Sequence, residues 1–158
     1  MTTRREATFG LSALALAALP PAPAQAAPAE AEATIRDLYR RFAAAQNARD
    51  LAGVRAFLWD SPDFLWVSDG RPYFGPDAMI ERMGQFQRAP VWRVTPDLAG
   101  SRVVALAPGA AYLFLSLLLE IGPEDAPSRL PWLVGVVCRE GETGWRIAAL
   151  FTTTDKTA

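Results

Sequence analysis

Two hydrophobic rhythms divide this chain. From Ile35 to Phe86 apolar residues mostly return every three or four positions, the period of a helix with one buried face. After Pro90 they alternate or run together, as they do in strands. Ile35, Leu38, Tyr39 and Phe42 share one stripe, and Thr34 with Asp37 resembles a capping box, so a first helix is predicted over residues 34–47. Asp50 is placed to cap a shorter second helix whose Leu51, Val54, Phe57 and Leu58 face inward and which ends before Ser61-Pro62. Met79, Ile80, Met83 and Phe86 form the stripe of a third helix, which Gly75-Pro76-Asp77 opens with a proline in the first turn and an acid at the positive end.

Between the second and third helices, residues 64–68 read as a strand, Asp69-Gly70 as a hairpin turn, and Tyr73 and Phe74 as its return arm. Beyond Pro90, strands are predicted near residues 91–95, 102–107, 111–121, 130–139 and 145–153. Turn residues separate them at Pro108-Gly109, Gly122-Pro123 and Gly141 to Gly144. Helices first and strands afterwards make an α+β fold, with three helices gathered on one face of a mainly antiparallel sheet. In the strand 111–121, one face carries Leu113, Leu115, Leu117 and Leu119, and the other carries Tyr112, Phe114, Ser116, Leu118 and Glu120. Both faces are largely apolar. One must cover helices or a cavity, and the other is expected to meet a second copy, a homodimer through the sheet.

Composition narrows the chemistry more than the fold. The 158 residues hold 51% hydrophobic and 21% charged side chains, with a formal net charge of −1, and arginines are spread along the chain. No basic footprint is present for nucleic acid or an anionic membrane. The chain has no histidine, the commonest general base and neutral metal ligand, and a single cysteine, Cys138. An intramolecular disulfide and a zinc site of several thiolates are therefore excluded. No metal and no cofactor are expected, and Cys138, beside Val136 and Val137, reads as a buried thiol.

The first residues read as an address. Arg4 and Arg5 precede an apolar run from Phe9 to Leu19 and a small-residue site at Ala24, Gln25 and Ala26, the layout of a bacterial secretory signal over residues 1–26. The run is shorter than the ~20 residues needed to span a bilayer, so cleavage between Ala26 and Ala27 is expected rather than anchoring. Thr3-Arg4-Arg5 resembles a twin-arginine signal, although Ala7 stands where that pattern prefers a bulky apolar residue. A periplasmic or secreted protein is expected, with residues 27–33 a tether and residues 34–155 a single domain.

Several short motifs resemble the NTF2-like superfamily, the cone-shaped fold of nuclear transport factor 2, ketosteroid isomerase and the SnoaL-like polyketide cyclases. They are Phe42, Asn47 and Asp50-Leu51; residues 64–68 with Asp69-Gly70; Gly75 with Asp77-Ala78-Met79-Ile80; and Trp145 with Ala149-Leu150-Phe151. The resemblance implies a cavity between the helices and a strongly curved sheet, with function in the residues that line it. In the isomerase pattern a tyrosine, an aspartate base and a protonated acid act together. Alignment on the motifs places Phe42, Trp66 and about Val134 at those positions, so all three polar roles are missing.

The remaining candidates are aromatic and acidic. Phe42, Trp66, Tyr73, Met79, Met83, Trp92, Tyr112, Phe114 and Trp132 either line a cavity for a flat apolar ligand or fill the core, with Trp66, Tyr112 and Trp132 foremost for the cavity. Asp60, Asp63, Asp69 and Glu120 are the acids nearest those strands, and Asp69 and Glu120 are the candidates for catalysis by one carboxylate. Arg93 with Tyr112 is a candidate carboxylate site, against an exposed strand arginine. Thr152, Thr153 and Thr154 suit an edge strand or dimer surface. Three functions remain open: binding of a small hydrophobic molecule, an isomerase, cyclase or hydratase using one carboxylate, and a protein-interaction module. An acid within hydrogen-bond reach of Tyr73 or Tyr112 in the cavity favours the enzyme; an acid-free cavity favours binding; a cone filled by side chains favours the interaction module.

Overall fold

The computed structural model describes residues 29–157. The expected export signal and its cleavage site at Ala26 and Ala27 lie outside them. Three α-helices come first or nearly so: α1 (Ala29–Asn47), α2 (Leu51–Phe57) and, after the hairpin β1 (Leu65–Ser68) and β2 (Arg71–Phe74), α3 (Pro76–Phe86). Five strands follow: β3 (Val91–Pro96), β4 (Arg102–Ala107), β5 (Ala110–Gly122), β6 (Ser128–Gly141) and β7 (Gly144–Thr154). The architecture is α+β, three helices on an open, curved, mixed sheet.

Helix α1 starts ahead of Thr34, the predicted cap. Thr34 Oγ1 instead donates to the Glu30 carbonyl at 2.8 Å, a bond made inside a helix. The tether expected at residues 27–33 is helical from Ala29 onward, because its alanines are strong helix formers and Glu30 and Glu32 sit at the positive end of the helix dipole. The buried stripe of α1 is Ile35, Leu38, Tyr39, Phe42, Ala43 and Gln46. Asp50 caps α2 as predicted, accepting from the Gly53 N–H at 2.8 Å. Arg55 then binds Asp77 at 2.7 Å and Asp60 at 2.8 Å, and its guanidinium pKa is raised by these hydrogen bonds.

The seven strands run in the order β2-β1-β7-β6-β5-β3, with β4 also on β5. Strands β3 and β4 share one side of β5, pairing with its second and first halves respectively. All pairings between named strands are antiparallel except β1 with β7, which joins the N-terminal hairpin to the main sheet. Strand β7 therefore lies between β1 and β6, not at an edge as its threonines suggested. The Asp69-Gly70 turn has both residues at positive φ, 51° and 71°, as a tight hairpin requires. On the free side of β3, Asn47 acts as a one-residue strand: its Nδ2 donates to the Val94 carbonyl at 2.9 Å and its Oδ1 accepts from the Val94 N–H at 2.7 Å. Arg49 donates to the carbonyls of Gln87, Ala89 and Pro90, tying the α1–α2 corner to the end of α3. These contacts fix α3 over the sheet.

Candidate functional site

The concave face of the sheet is filled at one end and open at the other. At the filled end Leu113 of β5, Val136 and Cys138 of β6 and Ile147 of β7 join Ile35, Phe42 and Val54 of the helices in a single core. Further along the same face, every second residue faces a cavity of about 330 Å³: Leu117, Leu119 and Ile121 from β5, Leu130, Trp132 and Val134 from β6, and Leu150, Thr152 and Thr154 from β7. Helix α3 closes it with Arg82, Met83 and Phe86. Trp66 and Ser68 of β1, Asp69, Gln46 of α1, and Trp92 and Val94 of β3 complete the walls. A larger recess of about 880 Å³ lies at the opposite end, between the start of α1 and the β6–β7 hairpin. Charged residues such as Glu30, Arg41, Glu140 and Arg146 line it, and it adjoins Ala29, where the described residues begin.

One wall of the 330 Å³ cavity is a chain of rings. Tyr73 packs on Trp66 at 5.2 Å, Trp66 meets Phe86 edge-on at 6.4 Å, and Phe86 stacks on Trp92 at 6.2 Å with planes 9° apart. The Arg82 guanidinium lies over the Phe86 ring, 4.1 Å from its centroid. Its Nη1 donates to Gln85 Oε1 at 2.8 Å. The ring beneath it holds the guanidinium flat, with Nη1 engaged and Nε buried without a partner.

Of the nine expected lining residues, the structure brings Trp66, Met83, Trp92 and Trp132 to the cavity. Phe42 and Met79 are fully buried at the filled end, where they fill the core. Tyr73 supports Trp66 without lining the cavity. Tyr112 and Phe114 are on the other face of β5: its period of two turns Leu113 and Leu115 inward, so these rings point away from the helices, and Phe114 is 43% exposed. The inward and outward sets of this strand are both apolar, so composition alone did not distinguish them.

The acids separate in the same way. Asp69 lines the cavity at its rim, exposed and in the left-handed region at φ 51°. Glu120 is on the outer face, paired with its cross-strand neighbour Arg129 at 3.0 Å, and cannot serve the cavity. Asp60 is held by Arg55, and Asp63 is exposed with its N–H on Ser61 Oγ. Arg93 stands opposite Glu120, while Tyr112 stands opposite Val104 and Val137, so the Arg93–Tyr112 site does not form. No tyrosine lines the cavity. Thr152 and Thr154 do, contrary to the dimer-surface reading, and Thr152 Oγ1 donates to the Val67 carbonyl at 3.2 Å. Arg82 and Phe86 were missed as cavity residues. The signal was available in the helical spacing, since Arg82 lies beside Met79, Met83 and Phe86 on the edge of their stripe.

Cys138 is buried as expected, and burial pushes its thiol up to about 12. Burial likewise raises the Tyr39 phenol. Neither faces the cavity. Among the described residues no cluster of acids and cysteine could hold a metal ion.

No family model matches the chain, and no curated protein matches it. Solved structures do. An NTF2-like superfamily protein from Salmonella enterica superposes with a TM-score of 0.71 at 16% identity, covering 82% of this chain and 94% of that one. An uncharacterised cystatin-like-fold protein from Caulobacter vibrioides gives 0.70 at 19% identity over 81% and 92%. A ketosteroid isomerase-like protein from Erwinia carotovora atroseptica gives 0.66 at 18% identity over 80% and 98%. With a helical layer over a curved sheet, a cavity at its open end and these superpositions, the chain has the NTF2-like fold.

Proposed function

We propose that this chain binds a small hydrophobic molecule in the cavity between α3 and the concave face of the sheet. The observation that carries the reading is the lining itself. Leucines and an isoleucine from β5 and β6, together with three indoles, enclose about 330 Å³, within the range of about 300–1,000 Å³ usual for ligand sites. Such walls bind by removing apolar surface from water, roughly 25 cal/mol for each Å². Native mass spectrometry of the protein isolated from the cells that make it tests this: a retained small molecule is expected, and a Trp66→Ala variant should lose it. Consistent isolation without any bound mass, together with no uptake of apolar probes, would count against the reading.

A second reading has one observation in its favour: Asp69 lines the same cavity and is free of any ion pair. Isomerase, cyclase or hydratase chemistry by a single carboxylate would use this residue. Its exposure argues for a solvated group and so for binding over catalysis. Once a ligand is known, Asp69→Asn separates the two, since a catalytic role stops turnover while a binding protein keeps its affinity.

The place of action we propose is outside the cytoplasm, from the signal-like residues 1–26. No helix of the described residues is long and apolar enough to cross a membrane. N-terminal sequencing of the protein from a periplasmic fraction should begin at Ala27; a chain that retains Met1 there would overturn the export reading.

A further inference from the structure

We infer that the ligand is a planar apolar acid, its carboxylate held by Arg82 and by the indole N–H groups of the cavity. The inference rests on the binding reading above and adds the ligand's polar chemistry to it.

Among the described residues, the buried side-chain polar atoms without a hydrogen-bond partner are Trp66 Nε1, Trp92 Nε1, Trp132 Nε1 and Arg82 Nε. All four belong to walls of the one cavity. Away from the cavity the buried polar side chains of the described residues are paired: Gln87 Nε2 donates to the Gln46 carbonyl at 3.2 Å and Ser101 Oγ to the Leu98 carbonyl at 2.7 Å. Buried polar groups in folded proteins are nearly always paired, so four orphans gathered at one cavity require a common cause. The four are also alike chemically. Indole N–H and guanidinium N–H groups donate and never accept. A lining that lacks acceptors at these points favours a ligand that brings them.

Charge selects among acceptors. Gln85 occupies Nη1 of Arg82, which leaves the edge formed by Nε and Nη2, the fork that matches the two oxygens of a carboxylate. The face of the guanidinium rests on Phe86, and Nε is shut from solvent as the indole nitrogens are, so the acid meets Nη2 first and Nε joins the fork as the side chain shifts. Asp69 is the other charged lining residue; it makes no ion pair with Arg82 and is exposed at the rim, so solvent rather than Arg82 balances it. The aromatic lining, Trp66, Phe86, Trp92 and Trp132 beside the leucines of β5 and β6, favours a flat ligand. The indole nitrogens and Arg82 Nε are shut away from solvent, so the inference requires these groups to turn toward the acid when it binds.

The test uses the chain's five tryptophans as reporters. Nitrogen-15-labelled protein is titrated with 2-naphthoate, with neutral 2-naphthamide and with the hydrocarbon 2-methylnaphthalene. The acid should bind about tenfold or more tighter than the hydrocarbon, the difference a charge-assisted fork makes. The indole signals of Trp66, Trp92 and Trp132 should shift on binding, while those of Trp59 and Trp145, outside the cavity, stay in place. Arg82→Gln should abolish the preference for the acid while 2-methylnaphthalene still binds, which shows that the variant keeps its cavity. Equal affinity for acid and hydrocarbon, equal affinity for acid and amide, or an acid preference that survives Arg82→Gln would each overturn the inference and leave the cavity as an apolar site. If none of the three probes enters, the binding reading falls with it.

Discussion

Trp66 shows what a single position could and could not disclose in the sequence. Its place on an inward-facing strand was legible, because period-two alternation and the hairpin turn fix which residues of β1 face the helices. Its unpaired N–H was not legible, since hydrogen-bond satisfaction depends on neighbours from β3, β6 and α3 that are distant in the chain. Asn47 is similar: its helix was readable, but its pairing with both backbone groups of Val94 joins residues 47 positions apart. Cys138 was readable from its apolar neighbours, and its chemistry follows from burial. Because the folded thiol is raised from 9.0 to about 12, the fold favours the neutral form. Its contribution to stability is intact below pH 9.0, the unfolded value, and is lost as pH rises through the folded one. Iodoacetamide at pH ~8 should therefore leave the native thiol unlabelled and label it readily in urea, since only the thiolate reacts. Rapid labelling of the native protein would contradict this placement.

At the scale of elements, helix α3 closes the cavity over the sheet, supplying Arg82, Met83 and Phe86 to its wall. The helix begins immediately after Gly75, whose φ of 77° and ψ of 147° lie close to a region that is essentially confined to glycine. A Cβ there would meet nothing within 4 Å, so a substitution costs backbone strain alone. Gly75→Ala is expected to destabilise the protein by about 1–3 kcal/mol, readable as a lower urea midpoint. An unchanged midpoint would show that the turn relaxes at little cost. The start of α3 was legible from Gly75-Pro76-Asp77, whereas the start of α1 was not. Thr34 and Asp37 offered a cap, but five residues of alanine and glutamate ahead of them propagate the helix instead. The faces of β5 were the hardest element to assign, because leucines occupy both. Only its pairing with β6 and the helices above it distinguishes Leu117 from Phe114.

For the whole molecule, the outer face of the sheet is the unfinished part. Phe114 and Phe151 stand on either side of Gly135 in one cross-strand row, 43% and 42% exposed, on the side of the sheet away from the helices. The hydrophobic effect favours covering such a row. We predict a homodimer through this face, visible as twice the chain mass in analytical ultracentrifugation at micromolar concentration. Phe114→Asp with Phe151→Asp should halve that mass without unfolding the chain. A wild-type monomer under the same conditions would end the proposal.

The orphaned indoles also bear on the balance between stability and binding. A buried donor without a partner costs about 1–3 kcal/mol, so the Trp132 N–H weakens the ligand-free protein and contributes only when an acceptor arrives to take its hydrogen bond. Trp132→Phe should leave the urea midpoint of the ligand-free protein unchanged or higher, since relief of the orphan offsets the smaller ring, while affinity for 2-naphthoate falls. A clear drop in the midpoint would mean that the indole is structural. If the midpoint holds, stability does not account for this indole, and the position trades robustness for recognition.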